Sequence, residues 1–381
     1  MMNRANKSAL ANWWFTIDRV ALACMLLLAG IGLMLAFAAS PATTGSPMAG
    51  GDFRYTARQV MFAVFAIAIL CGMSLLSLRQ IRIAGAVTFA GALIGSFLVL
   101  FVGADLLGAK RELDFGAFHL QPSEFLKPGF AILAAAVLAD RHPLAIPKPV
   151  VTGLLLFPAL LILIKQPDVG QTALLLCLWG GMLFFWGMSF LWVSAGIATV
   201  GVLGFIAYEV FPHVNRRVDQ YLGHSETGYQ AGLALKAFAH GGLTGVGPGA
   251  GTVKYRIPDV HSDFIFAVAG EEFGLVLCGL IAILFGVLTV RLLLRAAAAR
   301  EPFAQLAGAG LGLVTAVQAF INMGVAVSLL PAKGMTLPFI SYGGSSLLAV
   351  SVTMGLALAV TRQRPKVPVT RDDPAFFMVR A

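Results

Sequence analysis

One carboxylate stands where a polar segment passes into a long apolar run: Asp263, in Ile257-Pro258-Asp259-Val260-His261-Ser262-Asp263-Phe264-Ile265-Phe266. An Asp at such a boundary has an ordinary use, accepting hydrogen bonds from the first free N–H groups of a helix, and Ser262 could share it. It also has a chemical use. Partly desolvated at a membrane surface, a carboxyl pKa rises toward neutrality, and the group can take a proton from a hydroxyl. Glu271 and Glu272 follow in the same run. Eight residues at about 100° each bring Glu271 within about 80° of Asp263, two turns deeper. Acids at that depth are costly and face a cavity or a partner, so they fit either a structural ion pair or a pathway.

Ahead of Asp263 lie Arg216, Arg217, Lys236, Lys254 and Arg256, with a glycine cluster running from Gly241 to Gly251. Exposed cations commonly just solvate a face. Here they share one segment with glycine turns whose backbone N–H groups can point at a single anion, which suits a phosphate or pyrophosphate head group. No strand precedes the glycines, so a dinucleotide fold is excluded. Three further polar runs stand at the ends of apolar stretches: Gln121 to Lys127, Lys165 to Thr172 and Pro331 to Ser346. In each, Pro starts or breaks a helix while charged or amide groups sit near the bilayer surface. Glu124 and Lys127 have the spacing of a pair along one helix face.

The elements that must position these groups are membrane helices. Of 381 residues, 58% are hydrophobic and 12% charged, and mean hydropathy is +0.85. A water-soluble fold cannot cover itself with so few charges. Runs long enough to cross a bilayer occur near 17–40, 59–79, 82–103, 123–140, 149–165, 169–187, 189–211, 264–291, 302–327 and 341–361. The fourth to sixth are interrupted by Lys127, Pro128 and Pro158. The expected fold is therefore an all-α integral membrane protein of about ten transmembrane helices. It divides into a cytoplasmic tail (1–16), a polytopic domain (17–362) with one long external loop (about 212–263) between the seventh and eighth spans, and a second cytoplasmic tail (363–381). With the N-terminus inside, 15 of the 27 basic residues but only five of the 18 acids fall on the cytoplasmic side, as the Lys/Arg bias requires. The net charge of +9 is thus an orientation signal and leaves no case for nucleic acid. The polar runs and the long loop all open on the outer face, above an apolar body. That arrangement fits a substrate with a lipid tail and a polar head. Cys24, Cys71, Cys177 and Cys278 lie in apolar runs without CxxC spacing, and the six histidines show no HExxH. They read as packing residues, not as a disulfide framework or zinc site.

These motifs resemble the SEDS family (shape, elongation, division and sporulation), the integral-membrane peptidoglycan glycosyltransferases. The resemblance runs over nearly the whole chain. It is carried by Gln121-Pro122-Ser123-Glu124, Gln166-Pro167-Asp168-Val169-Gly170, His261 to Phe266 with Glu271-Glu272, and Leu337-Pro338 with Ser341 to Ser345. Pro331-Ala332-Lys333-Gly334 looks like the division branch. One departure is Lys110-Arg111-Glu112-Leu113, where the family more usually has two basic residues and an aromatic.

The resemblance implies ten spans and polymerisation of lipid II into glycan strands outside the bacterial cytoplasmic membrane, at the division septum. It also implies a class B penicillin-binding protein as transpeptidase partner, together with other division proteins. Asp263 matches the family's essential aspartate, Lys333 its division-branch lysine, and Tyr229-Gln230 a pair in its long loop. The expected chemistry is inverting: an acceptor 4-hydroxyl attacks the donor anomeric carbon, with Asp263 as base. Lys333, Arg216, Arg217 and Lys254 are candidates for the phosphates, and Tyr229, Gln230, Ser341, Glu124 and Lys127 for other substrate contacts. A divalent cation (Mg²⁺ or Mn²⁺) on Asp263 and phosphate oxygens is a family-level expectation, and no organic cofactor is expected. Two other functions compete: a lipid II flippase, which needs a charged path through the bilayer, and a non-enzymatic division scaffold, which has no need of Asp263.

Overall fold

The computed structural model describes residues 9–43, 54–106, 109–116, 119–142, 145–210, 226–330 and 334–363. Ten apolar helices form the body: α2 (Arg19–Thr43), α3 (Arg54–Ser74), α4 (Leu78–Val102), α5 (Ser123–Ala139), α6 (Lys148–Lys165), α7 (Val169–Trp186), α8 (Phe190–Val210), α10 (Ile265–Ala297), α11 (Pro302–Ala326) and α12 (Gly344–Val360). Each falls on one of the ten expected spans, and among the described residues seven of them are long and apolar enough to cross a bilayer by length and composition. Pro128 and Pro158 lie inside continuous helices, as membrane helices tolerate where neighbours accept the freed backbone groups. Two short helices lie outside the spans, α1 (Ala9–Thr16) and α9 (Glu226–Gly241). The connection between α4 and α5 carries its own secondary structure, an antiparallel ladder of β1 (Ala104–Leu106), β2 (Ala109–Asp114) and β3 (His119–Leu120).

Burial sorts the helices by role. On α5 and α12 nearly every residue is buried, and α11 is buried along most of its length; these three form the centre. Outward faces of α3, α4, α6 and α10 expose Phe65, Val87, Phe101, Ile164 and Val276, as residues meeting acyl chains do. At one end of the bundle Asp18 accepts from Arg291 and Arg295, each at 2.7 Å, and Arg362 donates to Thr16 Oγ1 at 3.1 Å. The opposite end gathers the polar runs.

Helix α10 extends to 33 residues and breaks at Gly274, whose φ of 76° is left-handed. The break follows from a two-for-two exchange of hydrogen bonds with the glycine-rich segment. The carbonyls of Glu271 and Glu272 accept from Val246 N–H and Gly247 N–H, both at 3.0 Å, in place of the N–H groups four residues on. Those two N–H groups, of Leu275 and Val276, donate instead to the carbonyls of Gly242 and Leu243 at 3.0 and 3.2 Å. All four of these backbone groups keep a partner, as a broken helix at membrane depth requires. A Cβ at Gly274 would lie 2.3 Å from Leu243 O, and one at Gly245 (φ +82°) 2.2 Å from Glu272 O. Glycine is needed at both positions for closeness as well as conformation.

Candidate active site at the membrane surface

Asp263 ends the turn ahead of α10, its N–H donating to Asp259 O at 3.0 Å. It does not cap the helix. The cap position falls on Phe264, without a side-chain bond, and Ser262 Oγ donates to Asp259 O at 3.2 Å. Among the described residues the Asp263 carboxylate has neither a hydrogen bond nor an ion pair. Burial, and then the Asp259 carboxylate beside it, push its pKa up to about 7, against a weaker pull from Arg111. Burial also holds the neighbouring His261 imidazole below its ordinary value, so it is neutral near pH 7. An acid balanced between its two forms at neutral pH, half-open and without partners, has the properties of a general base.

Its surroundings are fixed by a strap, residues 334–343, that crosses the same end of the bundle. Gly334 passes so near that a Cβ there would lie 3.0 Å from Asp263 Oδ2. Two amides on one face of α11 hold the strap: Gln318 donates to Thr336 O at 3.0 Å, and Asn322 to Met335 O at 2.6 Å. Asn322 also donates to Asp263 O at 2.9 Å, so one side chain ties the strap to the turn bearing the acid. Ser341 Oγ closes the other end, donating to Ser262 O and accepting from Leu337 N–H at 2.8 Å, while Tyr342 N–H donates to His261 O at 2.9 Å. Behind Gln318, Lys127 donates to Gln318 Oε1 at 2.9 Å and to Glu124 Oε2 at 2.6 Å, and Glu124 accepts from Gln171. Asp168 caps α7 through Gln171 N–H at 3.1 Å, and burial holds its carboxyl above the usual range.

A second polar cluster lies on α10, the helix that follows Asp263. Glu271, fully buried, accepts from Thr252 N–H and Val253 N–H at 2.7 Å, from Lys254 N–H at 2.9 Å, and pairs with His240 at 2.9 Å. Glu272 accepts from Gly249 N–H at 3.0 Å and pairs with the Lys254 ammonium, which also donates to Ala38 O at 2.6 Å. The anion cradled by these backbone N–H groups is therefore the protein's own carboxylate, not the phosphate that the glycine cluster suggested. Of the two readings open for Glu271 and Glu272, the geometry is that of the structural pair.

The expected substrate residues divide accordingly. Ser341 borders Asp263. Glu124, Lys127 and Lys254 are enclosed, the last with 0% exposure, and none presents its charge to the outer surface. Gln230 is half-buried on α9, and Tyr229 belongs to the same helix. Arg216, Arg217 and Lys333 lie outside the described residues. Sequence reasoning passed over Asn322 and Gln318, although two amides four residues apart in an apolar span are a signal of polar packing within it. It also gave no role to Arg111, which donates to Gln166 O at 3.3 Å and Pro167 O at 2.8 Å and so anchors β2 over the site.

Fold and site define a polytopic membrane protein with a half-buried carboxylate, Asp263, at one rim of its helical bundle. The profile of the family described as cell cycle protein, FtsW/RodA/SpoVE, matches residues 18–366, and the chain belongs to that family. A relative from Caulobacter vibrioides (strain NA1000 / CB15N), called a probable peptidoglycan glycosyltransferase FtsW, is 39% identical over 366 residues, 95% of this chain and 93% of its own. A protein of the same description from Tolumonas auensis is 34% identical over 370 residues, 91% and 92% of the two chains. Among solved structures, one chain of a peptidoglycan synthase complex coordinating polymerization and crosslinking superposes with a TM-score of 0.77 at 25% identity, covering 91% of this chain and 98% of that one. Rod shape determining protein RodA of Thermus thermophilus superposes with a TM-score of 0.69 at 25% identity, covering 92% and 99%.

Proposed function

We propose that this chain is a peptidoglycan glycosyltransferase that polymerises lipid II at the outer surface of the cytoplasmic membrane during septal wall synthesis. The observation that carries the reading is Asp263: an acid at the membrane rim that has no partner among the described residues and a pKa of about 7. The acceptor's 4-hydroxyl oxygen bonds to the donor anomeric carbon as the bond from that carbon to the pyrophosphate oxygen breaks. Asp263 takes the hydroxyl proton, and polyprenyl pyrophosphate leaves with the bonding electrons. Asn322 and the strap hold the acid in place, a positioning role worth much in a reaction that depends on alignment. Arg111, Arg216, Arg217 and Lys333 are the candidates for balancing pyrophosphate charge.

A divalent cation fits the donor set. Among the described residues no three His, Cys, Asp or Glu side chains gather as a protein cage. Mg²⁺ characteristically takes one or two carboxylates together with substrate phosphate oxygens. Asp263, with Asp259 beside it, would hold such an ion, which would supply charge neutralisation for the leaving group. The N- and C-termini are cytoplasmic in this reading, which places Asp263 outside, and the partner is a class B penicillin-binding protein that crosslinks the product. The named material for a flippase path, Glu271, Glu272 and Lys127, is paired within the protein, which supports surface chemistry instead.

The test is purified protein with its partner and lipid II in detergent, the glycan products separated on a gel. Wild type yields polymer; Asp263→Asn yields none while staying folded and partner-bound. Polymer from the Asn variant removes Asp263 as base, and translocation of labelled lipid without polymer moves the function to a flippase.

A further inference from the structure

At the end of the bundle away from Asp263 two cavities, each of about 600 Å³, share Pro302 in their walls. From Phe303 to Asn322 the helix α11 advances 19 residues, about 28 Å at 1.5 Å per residue, so these cavities lie one bilayer core from the reactive acid. The first is polar. Arg82, Arg141 and His142 line it, and the Arg82 guanidinium stands 4.5 Å from the centre of the buried Phe303 ring. Of its two acids, Asp140 is already answered: the His142 N–H donates to it at 3.1 Å, the Arg141 backbone N–H also serves it, and the Lys148 ammonium stands near. Glu301 is exposed, and Arg79 and Arg300 are close by in the chain.

The second cavity is apolar. Phe185, Leu293, Leu294, Ala297 and Ala309 line it between α7, α10 and α11, and Trp186 flanks it with its indole N–H on Leu138 O at 3.0 Å. Phe185 and Leu294 are exposed on the helix surface, and an indole at the level of the head groups is a usual interfacial anchor. A polar chamber with two guanidiniums beside an apolar slot on the lipid-facing surface, the two meeting at Pro302, suits one amphiphile. Basic recesses between membrane helices take anionic head groups.

We propose that these two adjacent cavities bind one anionic phospholipid, its phosphate on Arg82 and Arg141 and an acyl chain in the slot beside Ala297. The site is independent of the glycosyltransferase reading, because it lies at the other end of the bundle and uses none of the same residues.

The experiment is native mass spectrometry of the full chain released from nanodiscs of phosphatidylglycerol and phosphatidylcholine mixed 1:3. Wild type retains one phosphatidylglycerol in preference to phosphatidylcholine. Arg82→Ala with Arg141→Ala weakens retention about thirtyfold, the loss of two near-surface cations. Ala297→Trp fills the exposed slot with every charge intact and also loses the lipid. Equal retention of both lipids, or unchanged phosphatidylglycerol in either variant, overturns the proposal. In a further arm, glycerol 3-phosphate displaces lipid only weakly at millimolar concentration. Full displacement that is unaffected by Ala297→Trp makes this a site for a soluble phosphate, which also overturns it.

Discussion

Asp263 and the pair Glu271–Glu272 are carboxylates on one stretch of chain, at the same end of the bundle, in opposite circumstances. The glutamates are saturated: four backbone N–H groups, an ammonium and an imidazole answer them. Their charge locks the 241–256 segment onto α10. Asp263 is equally placed by its backbone, through Asp259 and Asn322, yet among the described residues no donor reaches its carboxylate oxygens. The lesson is that position alone does not make an acid reactive. A saturated carboxylate is a structural bolt, and a rigidly held, unanswered one is a base.

The contrast can be broken most severely at Asp263. Asp263→Asn should lower the polymerisation rate about 10²–10⁴-fold, the usual contribution of a positioned base, with no loss of thermal stability. The glutamates should respond the other way. Glu272→Ala leaves the Lys254 ammonium buried and unpaired, which costs about 3–5 kcal/mol of stability, read as a lowered melting temperature. A double change to Glu272→Leu with Lys254→Met should recover most of it. If Glu272→Ala melts like wild type, the bolt reading fails.

Asn322 sharpens the comparison from the acid's side. Asn322→Ala strips donors from Asp263 O and Met335 O, at about 1–3 kcal/mol. Its turnover should fall while KM holds, and the midpoint of its pH–rate profile should move. A purely structural role would leave that midpoint in place.

The wild-type pH profile is the next smaller effect. The base form of Asp263 exists above its pKa, so the rate should climb through a midpoint near 7 and level off above it. Stability runs in reverse. A carboxyl whose pKa is raised in the folded protein stabilises the fold fully below its unfolded value of 3.8 and loses that contribution as pH rises through about 7. Asp263→Asn should therefore melt higher than wild type at pH 8 and no higher at pH 4. The smallest effect belongs to His240→Ala: its half-exposed ring contributes about 0–1 kcal/mol to Glu271, and activity should be unchanged.

The ten helices, the Glu124–Lys127 pair and the singular place of Asp263 were legible in the sequence, because length, apolar run and i,i+3 spacing are local properties. The glycine cluster was misread for the same reason. One of its N–H groups, that of Gly249, and those of Thr252 to Lys254 just after it do point at anions, but these are Glu272 and Glu271, reached only by folding. Lys254 likewise looks like a surface cation until the fold encloses it against Ala38 O. The strap of 334–343, the amides of Gln318 and Asn322, and the hook of Arg111 on Pro167 O escaped notice because each is a contact between segments far apart in the chain.

By itself, then, the sequence determined a bilayer-spanning helical bundle, its orientation bias and the residue types available at one rim, since hydropathy and charge act residue by residue. Only the tertiary structure decided which acids are answered and which is left unanswered. That distinction depends on donors delivered from other helices, and on how much water their packing leaves at each oxygen.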